Sequence, residues 1–403
     1  MKVGAETVTF KKDTYERFLI IGGGAAGTAA CEEIRKRNST CSIEIISKEN
    51  VIGYNRPMLT KGILAEMDFL NLFIKPFPWY AENNVALTLG AEVTAIDDKE
   101  KKLKLSDGSE RSYDKLILAT GAESFVPPIK GVEKEGVFAI RTLDTINRIR
   151  DFLESGIKSA AIIGGGVLGL EAAWELKKAG LDVTVIEAGP VIMGRQLDAT
   201  AGKFLLAAFD RAGVKYTVGK GIEEITGDSR VSGVKLADGS EVPADMVVVS
   251  TGVRQNIALA QGIGIEATRS IVVGKNMETG KEGIYACGDC AEFEGVNYAI
   301  WPQAVDMGKV AGANAAGEEA LYSKTIPAVT FNGMNTSIYS IGDIGKSEGK
   351  QYKTKEYCDE EGLIYEKLYF ANSRFCGGIL LGDIKKSGAL FKAIEEKTHI
   401  SEM

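Results

Sequence analysis

The stretch Phe18-Leu-Ile-Ile21 runs directly into Gly22-Gly-Gly24-Ala-Ala-Gly27, and the same pattern returns as Ala160-Ala-Ile-Ile163 followed by Gly164-Gly-Gly166-Val-Leu-Gly169. Gly22, Gly24 and Gly27 correspond to Gly164, Gly166 and Gly169 at one constant offset. Each copy opens with a short apolar run suited to a buried strand, then a glycine turn, then an alanine-rich helical segment, 28–36 in the first and 170–179 in the second. A second apolar run follows in each, 42–47 and 182–187. Two strand–helix–strand units of this kind predict parallel sheets.

The correspondence continues further along the chain at a second, smaller offset. Leu105-Ser-Asp-Gly-Ser-Glu110 returns as Leu236-Ala-Asp-Gly-Ser-Glu241, and Asp114-Lys-Leu-Ile-Leu-Ala-Thr-Gly121 as Asp245-Met-Val-Val-Val-Ser-Thr-Gly252. The Asp-Gly pairs predict hairpin turns, and the apolar runs predict central strands ending in a Thr-Gly turn. Because the offset shrinks, the first copy carries extra residues between its landmarks, placed in 53–70 where the copies are least alike. Beyond Gly252 come Gly283-Ile-Tyr-Ala-Cys-Gly-Asp289 and a helix-like run at 303–317. From Pro327 the texture changes to alternating short strands with many glycines, closed by an amphipathic helix at 388–397. That predicts a small α+β domain over 327–403.

At 403 residues the chain has room for two to three domains of about 150 residues each. Its 47 glycines are about 12% of the chain, against a typical ~7%, and without a Gly-X-Y period they signal tight turns and close backbone approaches. A net charge of −7 argues against nucleic acid as a partner, because phosphate recognition wants clustered Lys and Arg. No run reaches the roughly 18 apolar residues of a membrane helix, so no membrane partner is expected. The N-terminal MKVGAETVTFKKDTYER lacks the apolar centre of a signal or transit peptide. Six cysteines without a secretion signal point to a reducing compartment, so a cytoplasmic location is expected. The lone histidine, His399, is near the end of the chain, which argues against a Ser-His-Asp hydrolase, a His-ligated metal centre or a buried histidine base.

Each Gly-x-Gly-x-x-Gly follows a strand and opens a helix, the context in which this pattern binds a dinucleotide. Gly22 and Gly164 permit the tight turn, Gly24 and Gly166 let backbone N–H groups approach a pyrophosphate, and Gly27 and Gly169 let helix and strand pack closely. The helix N-terminus then faces the phosphate charge. Glu187 follows Gly169 at close to the expected spacing of roughly 20 residues, at the end of the second strand, where it can accept hydrogen bonds from an adenosine ribose. No arginine in 183–190 would meet a 2′-phosphate, so NADH is expected over NADPH. Glu49 follows Gly27 at much the same spacing and is the matching acid of the first copy, with a solvated loop glutamate as the competing reading.

The motifs Gly22-x-Gly24-x-x-Gly27, Ala119-Thr120-Gly121, Gly164-x-Gly166-x-x-Gly169, Ser250-Thr-Gly252 and Tyr285-Ala-Cys-Gly288-Asp289 come in one order. That order resembles the FAD-dependent pyridine nucleotide-disulfide oxidoreductase superfamily from about residue 17 to 320. The resemblance implies an α/β fold of two Rossmann-like, glutathione-reductase-type nucleotide-binding domains plus a small C-terminal α+β domain. It sets a FAD-binding domain over 1–125 and 253–326, an NADH-binding domain over 126–252, and the C-terminal domain over 327–403. FAD would meet the first glycine loop with Ala26, then Glu49, the Ala119-Thr120-Gly121 turn, Gly288 and Asp289. Asp289 is implied at the ribityl-pyrophosphate portion. NADH would meet the second loop with Glu187 and Gly252, its nicotinamide over the flavin.

The superfamily's disulfide reductases place a redox cysteine facing the flavin, and this chain has no cysteine between Cys41 and Cys287. The corresponding segment reads Gly53-Tyr-Asn-Arg56-Pro57-Met-Leu-Thr-Lys61. It resembles the Arg-Pro-x-Leu-x-Lys stretch of flavoproteins that reduce rubredoxin, ferredoxin or a nitrite reductase centre. In that branch the arginine and proline lie by the isoalloxazine, and the lysine pairs with a glutamate just after the second fingerprint, matched here by Glu171. A cation near the ring stabilises negative charge on reduced flavin. Glu171, expected in the first turn of a helix, would fix it, so Lys61 and Glu171 are the expected catalytic pair, with an exposed loop lysine and a helix-dipole glutamate as the competing readings. Cys287-Gly-Asp-Cys290 has the Cys-x-x-Cys form but overlies the Gly-Asp flavin motif, and is not read as a redox pair. Arg141 sits where relatives carry an arginine near the FAD phosphates, and Trp301-Pro302 where their backbone approaches the flavin. A surface role for Arg141 and a purely structural one for Trp301 compete with these.

Arg195-Gln-Leu-Asp198 and Gly378-Ile-Leu-Leu-Gly-Asp383 further resemble clostridial-type NADH-rubredoxin oxidoreductases and the flavin portion of assimilatory nitrite reductases. The resemblance implies FAD and NADH as cofactors and a small electron carrier, rubredoxin or ferredoxin-like, as partner. Lys385 and Lys386 are candidates to meet it. The alternatives are an NADH oxidase, peroxidase or CoA-disulfide reductase, the flavin subunit of a nitrite reductase system, and an NADH-sensing flavoprotein. If Glu187 reads the ribose, kcat/KM for NADH exceeds that for NADPH, and equal values would show that it does not.

Overall fold

The computed structural model describes residues 15–63 and 72–403. The readings of the N-terminal stretch before Tyr15 and of the last part of segment 53–70 lie outside the described residues. Two compact units are present; among the described residues the first holds 15–57, 72–123 and 253–325, and the second 58–63, 124–252 and 326–403.

The first unit is built on a parallel five-stranded sheet in the order Ile284–Ala286, Lys115–Leu118, Arg17–Ile21, Ser42–Ser47, Val85–Leu89. Its middle strands are nearly continuous apolar runs because both faces are covered; Ile20, Leu116, Ile117 and Leu118 are all fully buried. Helices Ala25–Arg37 and Trp301–Ala315 pack through small residues. A Cβ on Gly308 or Gly312 would sit 2.3 Å from the carbonyl oxygen of Ala26 or Ala30. A three-stranded antiparallel ribbon, Val93–Asp97, Lys102–Leu105 and Glu110–Ser112, turns at Asp107-Gly108, where Gly108 takes φ +83°.

The second unit repeats this plan. Its parallel sheet runs Lys215–Val218, Asp182–Glu187, Ser159–Ile163, Met246–Val249, Val137–Ala139. Its ribbon is Ile222–Thr226, Gly233–Leu236 and Glu241–Pro243, with Gly239 at φ +84° in the turn. The repeat extends to single hydrogen bonds. Asp114 accepts from the Arg17 backbone N–H at 2.8 Å, and Asp245 accepts from that of Ser159 at 3.0 Å, so each carboxylate ties the entry of a central strand to that of its neighbour. The Arg17 guanidinium beside Asp114 holds that carboxyl down at about 2.

The second unit also contains an antiparallel sheet ordered Ala328–Gly333, Thr336–Gly342, Arg374–Leu381, Ile364–Ala371, Tyr352–Asp359, with helix Ser387–Glu395. Its strands are longer than the glycine-rich texture predicts. Several of those glycines mark contacts inside strands rather than breaks: a Cβ on Gly377 would lie 2.2 Å from the Asp343 carbonyl oxygen. No helix among the described residues is long and apolar enough to cross a membrane.

Candidate functional site

In the first unit Gly22 turns with φ +107°, its N–H donating to Ile46 O at 2.8 Å, and a Cβ there would lie 2.1 Å from Ala119 O. A Cβ on Gly27 would lie 1.9 Å from Gly22 O, so the helix presses directly on the turn. Gly24 is the N-cap, with extended backbone and no side-chain cap, and nothing stands within 4 Å of where its Cβ would be. The helix begins at Ala25, earlier than the expected start at Thr28, because the backbone of Gly24 supplies the cap. With no acidic residue in its first turn, this end keeps the partial positive charge of its unpaired amides. Open space at Gly24 in front of unpaired amides is the environment a pyrophosphate needs at a helix end.

Residues far apart in sequence gather around this loop. A Cβ on Gly288, at φ +78°, would meet the Ala26 methyl at 2.7 Å, which sets Gly288-Asp289 against the start of the helix. Thr120 and Asn256 bond reciprocally, Oγ1 to Asn256 O at 2.7 Å and Nδ2 to Thr120 O at 2.9 Å, next to Gly121 at φ +65°. Gly53 packs on the same loop, its Cβ position 2.2 Å from Gly23 O. From there the chain delivers Tyr54 and Arg56 to Glu49: Tyr54 donates to Glu49 at 2.6 Å, the Arg56 guanidinium is 5.0 Å from the Tyr54 ring centroid, and Arg56 forms an ion pair with Glu49. Burial works against the charge on Arg56, but Tyr54, Glu49 and Asp289 outweigh it, and its pKa is raised.

Arg56 is thus grouped with the acid expected at the ribose, whereas the sequence resemblance had set it at the flavin ring. Pro57 follows it, exposed, in the turn Arg56–Met58. Trp301 is half-buried at the first position of its helix. Sequence reasoning missed Tyr54, Asn256 and the buried Gln303, which accepts from Tyr298 N–H at 2.8 Å.

The second unit copies the loop closely. Gly164 turns with φ +108°, its N–H donates to Ile186 O at 2.8 Å, and its Cβ position is 2.2 Å from Ser250 O. A Cβ on Gly169 would be 2.2 Å from Gly164 O, while the N-cap Gly166 again faces open space. Glu187 bridges the loop, accepting from Gly165 N–H at 2.7 Å and Gly189 N–H at 2.6 Å. Strand register shows where the copies part. Ile21 pairs with Ile46 and Ile163 with Ile186, so the strand position of Glu187 is filled in the first copy by Ser47, and Glu49 comes later, beyond the strand. Gly252, at φ +109°, stands where the first copy has Gly121. Arg141 is half-buried ahead of Thr142, the N-cap of helix Leu143–Leu153.

Lys61 and Glu171 both lie in the second unit. Helix Val167–Lys178 starts at Val167, so Glu171 is its fifth residue and not in the first turn as expected. Among the described residues no ion pair joins Lys61 to Glu171. Instead Glu171 accepts from the fully buried Thr60 hydroxyl at 2.8 Å, and Lys61, exposed, approaches Met58 Sδ at 3.9 Å. Burial pushes the Glu171 carboxyl up, while Thr60 and the nearby charge of Lys61 pull it down; the balance leaves it raised. Of the two groups that lower it, the Thr60 hydrogen bond outweighs the Lys61 charge; a hydrogen bond to a charged group contributes about 1.5–3 kcal/mol.

Two copies of one strand–glycine-loop–helix cradle, each with an acid beside it, define an α/β protein made for two nucleotides. The chain belongs to the pyridine nucleotide-disulphide oxidoreductase family, whose model matches residues 16–308, and residues 327–398 match the rubredoxin NAD+ reductase C-terminal domain. It is similar to nitrite reductase, NAD(P)H, of Bacillus subtilis, at 35% identity over 390 residues, 96% of this chain and 48% of that protein. The chain therefore spans about half the length of that relative. It is also similar to NADH-rubredoxin oxidoreductase of Clostridium acetobutylicum, at 31% identity over 379 residues and 94% of each chain. Among solved structures, a NAD-dependent persulfide reductase from A. fulgidus superposes with a TM-score of 0.89 at 27% identity, covering 96% of this chain and 78% of that one.

The cysteines are free thiols. Cys287 and Cys290 are buried, and burial raises the pKa of both, so neither offers the thiolate that redox exchange needs. Cys358 is exposed. Titration of the native protein with a thiol reagent should therefore modify Cys358 first and leave Cys287 and Cys290 intact until unfolding. Modification of either buried cysteine in the folded protein would contradict this.

Proposed function

We propose that the chain is an NADH-dependent FAD oxidoreductase that passes electrons to a small iron protein of the rubredoxin or ferredoxin type. The observation that carries this is the pair of glycine cradles with acids beside them, in a chain whose Cys-x-x-Cys thiols are buried, with burial raising the pKa of both. The match of residues 327–398 to the rubredoxin NAD+ reductase C-terminal domain supports the choice of acceptor.

On this reading 1–125 and 253–326 form the FAD-binding domain and 126–252 the NADH-binding domain, with 327–403 as the C-terminal domain. Gly22, Gly24 and Gly27 bring the helix end to the FAD pyrophosphate, with Ala26, Gly288 and Asp289 closing that side. Glu49 holds the ribose and Arg56 balances its charge; Ala119, Thr120 and Gly121 form the floor. Pro57, Arg141 and Trp301 are retained as secondary contacts. Gly164, Gly166, Gly169 and Gly252 shape the NADH site, where Glu187, held by the Gly165 and Gly189 N–H groups, accepts from the ribose hydroxyls with its remaining lone pairs. Bound FAD supplies hydride acceptance and the release of single electrons. Lys61 would supply positive charge to a bound flavin, and Glu171, held by Thr60, would limit that charge. A cytoplasmic setting suits the free cysteines.

Lys385 and Lys386 are exposed and make only surface ion pairs, with Asp383 at 3.5 Å and Glu366 at 2.6 Å, so they stay candidates to meet an acidic partner. The half-length match to nitrite reductase favours one second reading, in which the acceptor is a nitrite reductase centre.

The test is anaerobic mixing of the FAD-loaded protein with NADH, then with rubredoxin, ferredoxin, CoA-disulfide or a nitrite reductase centre in turn. NADH should bleach the flavin, and an iron protein should restore its colour rapidly while becoming reduced. Bleaching followed by reoxidation only with CoA-disulfide would overturn the proposal.

A further inference from the structure

We propose that the C-terminal sheet positions the pyridine-nucleotide loop, through Tyr365, Tyr369, Ser340 and Lys346, and so sets the affinity for NADH. The inference rests on the reading that the second glycine loop binds NADH.

The segment between Glu187 and helix Ala199–Ala212 is fixed on two sides. On one side Met193, a non-glycine residue at φ +50°, donates its N–H to Gly165 O at 2.9 Å, inside the second glycine loop. Gly165 in turn donates to Glu187, so the segment, the loop and the ribose acid form one hydrogen-bonded chain. Backbone in the left-handed region is costly for methionine and persists only where its surroundings enforce it. Gln196 and Leu197 both donate to Met193 O, at 2.7 and 2.9 Å, and close the segment into a turn.

On the other side the C-terminal sheet grips the same turn. Ser340 donates to Gln196 O at 2.7 Å, and Lys346 donates to Leu197 O at 3.0 Å and to Gly194 O. Tyr365, Lys367 and Tyr369 alternate along strand Ile364–Ala371, so all three point from one face. All three reach the same atom, Asp198 Oδ2, at 2.8, 3.2 and 2.9 Å. The other oxygen of Asp198 caps the helix at Ala201 N–H, at 2.8 Å. One carboxylate thus ties the end of the nucleotide segment to the C-terminal sheet. With Met193 held in a strained turn between these anchors, release of the sheet side lets the turn relax and moves Gly165 and Glu187.

The test compares full-length, FAD-loaded wild-type protein with the double variant Tyr365→Phe/Tyr369→Phe and with the milder Ser340→Ala. Read out are KM for NADH, kcat with an artificial electron acceptor, FAD content and Tm. The double variant should raise KM for NADH roughly tenfold, equivalent to about 1.4 kcal/mol of binding, with kcat and FAD content unchanged. Ser340→Ala should move KM in the same direction by a smaller factor, and it decides the matter if the double variant does not fold. Unchanged KM alongside a lowered Tm would overturn the inference and leave these residues as structural only. A wild-type protein that does not bind NADH would instead overturn the reading on which the inference rests.

Discussion

At Gly22 and Gly164 the backbone turns with φ +107° and +108°, and the carbonyl oxygens of Ala119 and Ser250 stand within 2.2 Å of where a side chain would begin. A conformation that L side chains avoid and a space that admits no Cβ together restrict both positions to glycine. The rest of each unit follows from that constraint. The tight turn allows a buried strand to pass into a helix without a gap, and Gly27 and Gly169 bring the first turn of each helix onto the loop. The helix end is then left facing open space at Gly24 and Gly166. Anion binding is the chemistry such an end supports.

What distinguishes the two cradles is the polar group beside each. In the second, Glu187 sits on the strand and bonds directly to the glycine loop. In the first, Ser47 holds that strand position, and Glu49 is gathered from the following loop by Tyr54 and Arg56. The second arrangement brings to its loop a carboxylate with no guanidinium paired to it among the described residues, which favours ribose hydroxyls and disfavours an extra phosphate. The first combines acid and guanidinium, which suits a ligand carrying both hydroxyls and phosphates. The two copies share a shape, and on the reading proposed above these few side chains give them different ligands.

Much of this was legible in the sequence because it is local. The strands Ser42–Ser47 and Asp182–Glu187 fall where their apolar runs place them, and the Asp-Gly turns sit in the ribbons. The helix starts at Ala25 and Val167 were read late, since a glycine inside a first helical turn reads as loop until packing against Gly22 or Gly164 is seen. Contacts between distant segments were not legible. Nothing in the sequence joins Asp198 to Tyr365 and Tyr369, or Thr120 to Asn256, because such pairs are created by the fold. For the same reason Thr60 went unnoticed beside Lys61, although it is the residue that bonds to Glu171.

The central claim is that the two loops hold different nucleotides, and Gly24 and Gly166 test it cleanly. Both have extended backbone open to alanine, and neither Cβ would touch the protein, so a substitution there acts on the ligand and not on the fold. The measurement is FAD content and NADH affinity of Gly24→Ala and Gly166→Ala, side by side. Loss of FAD in the first with NADH binding retained, and loss of NADH binding in the second with FAD retained, is the predicted result. Full retention of both ligands by both variants, or the reverse pattern, would contradict the account.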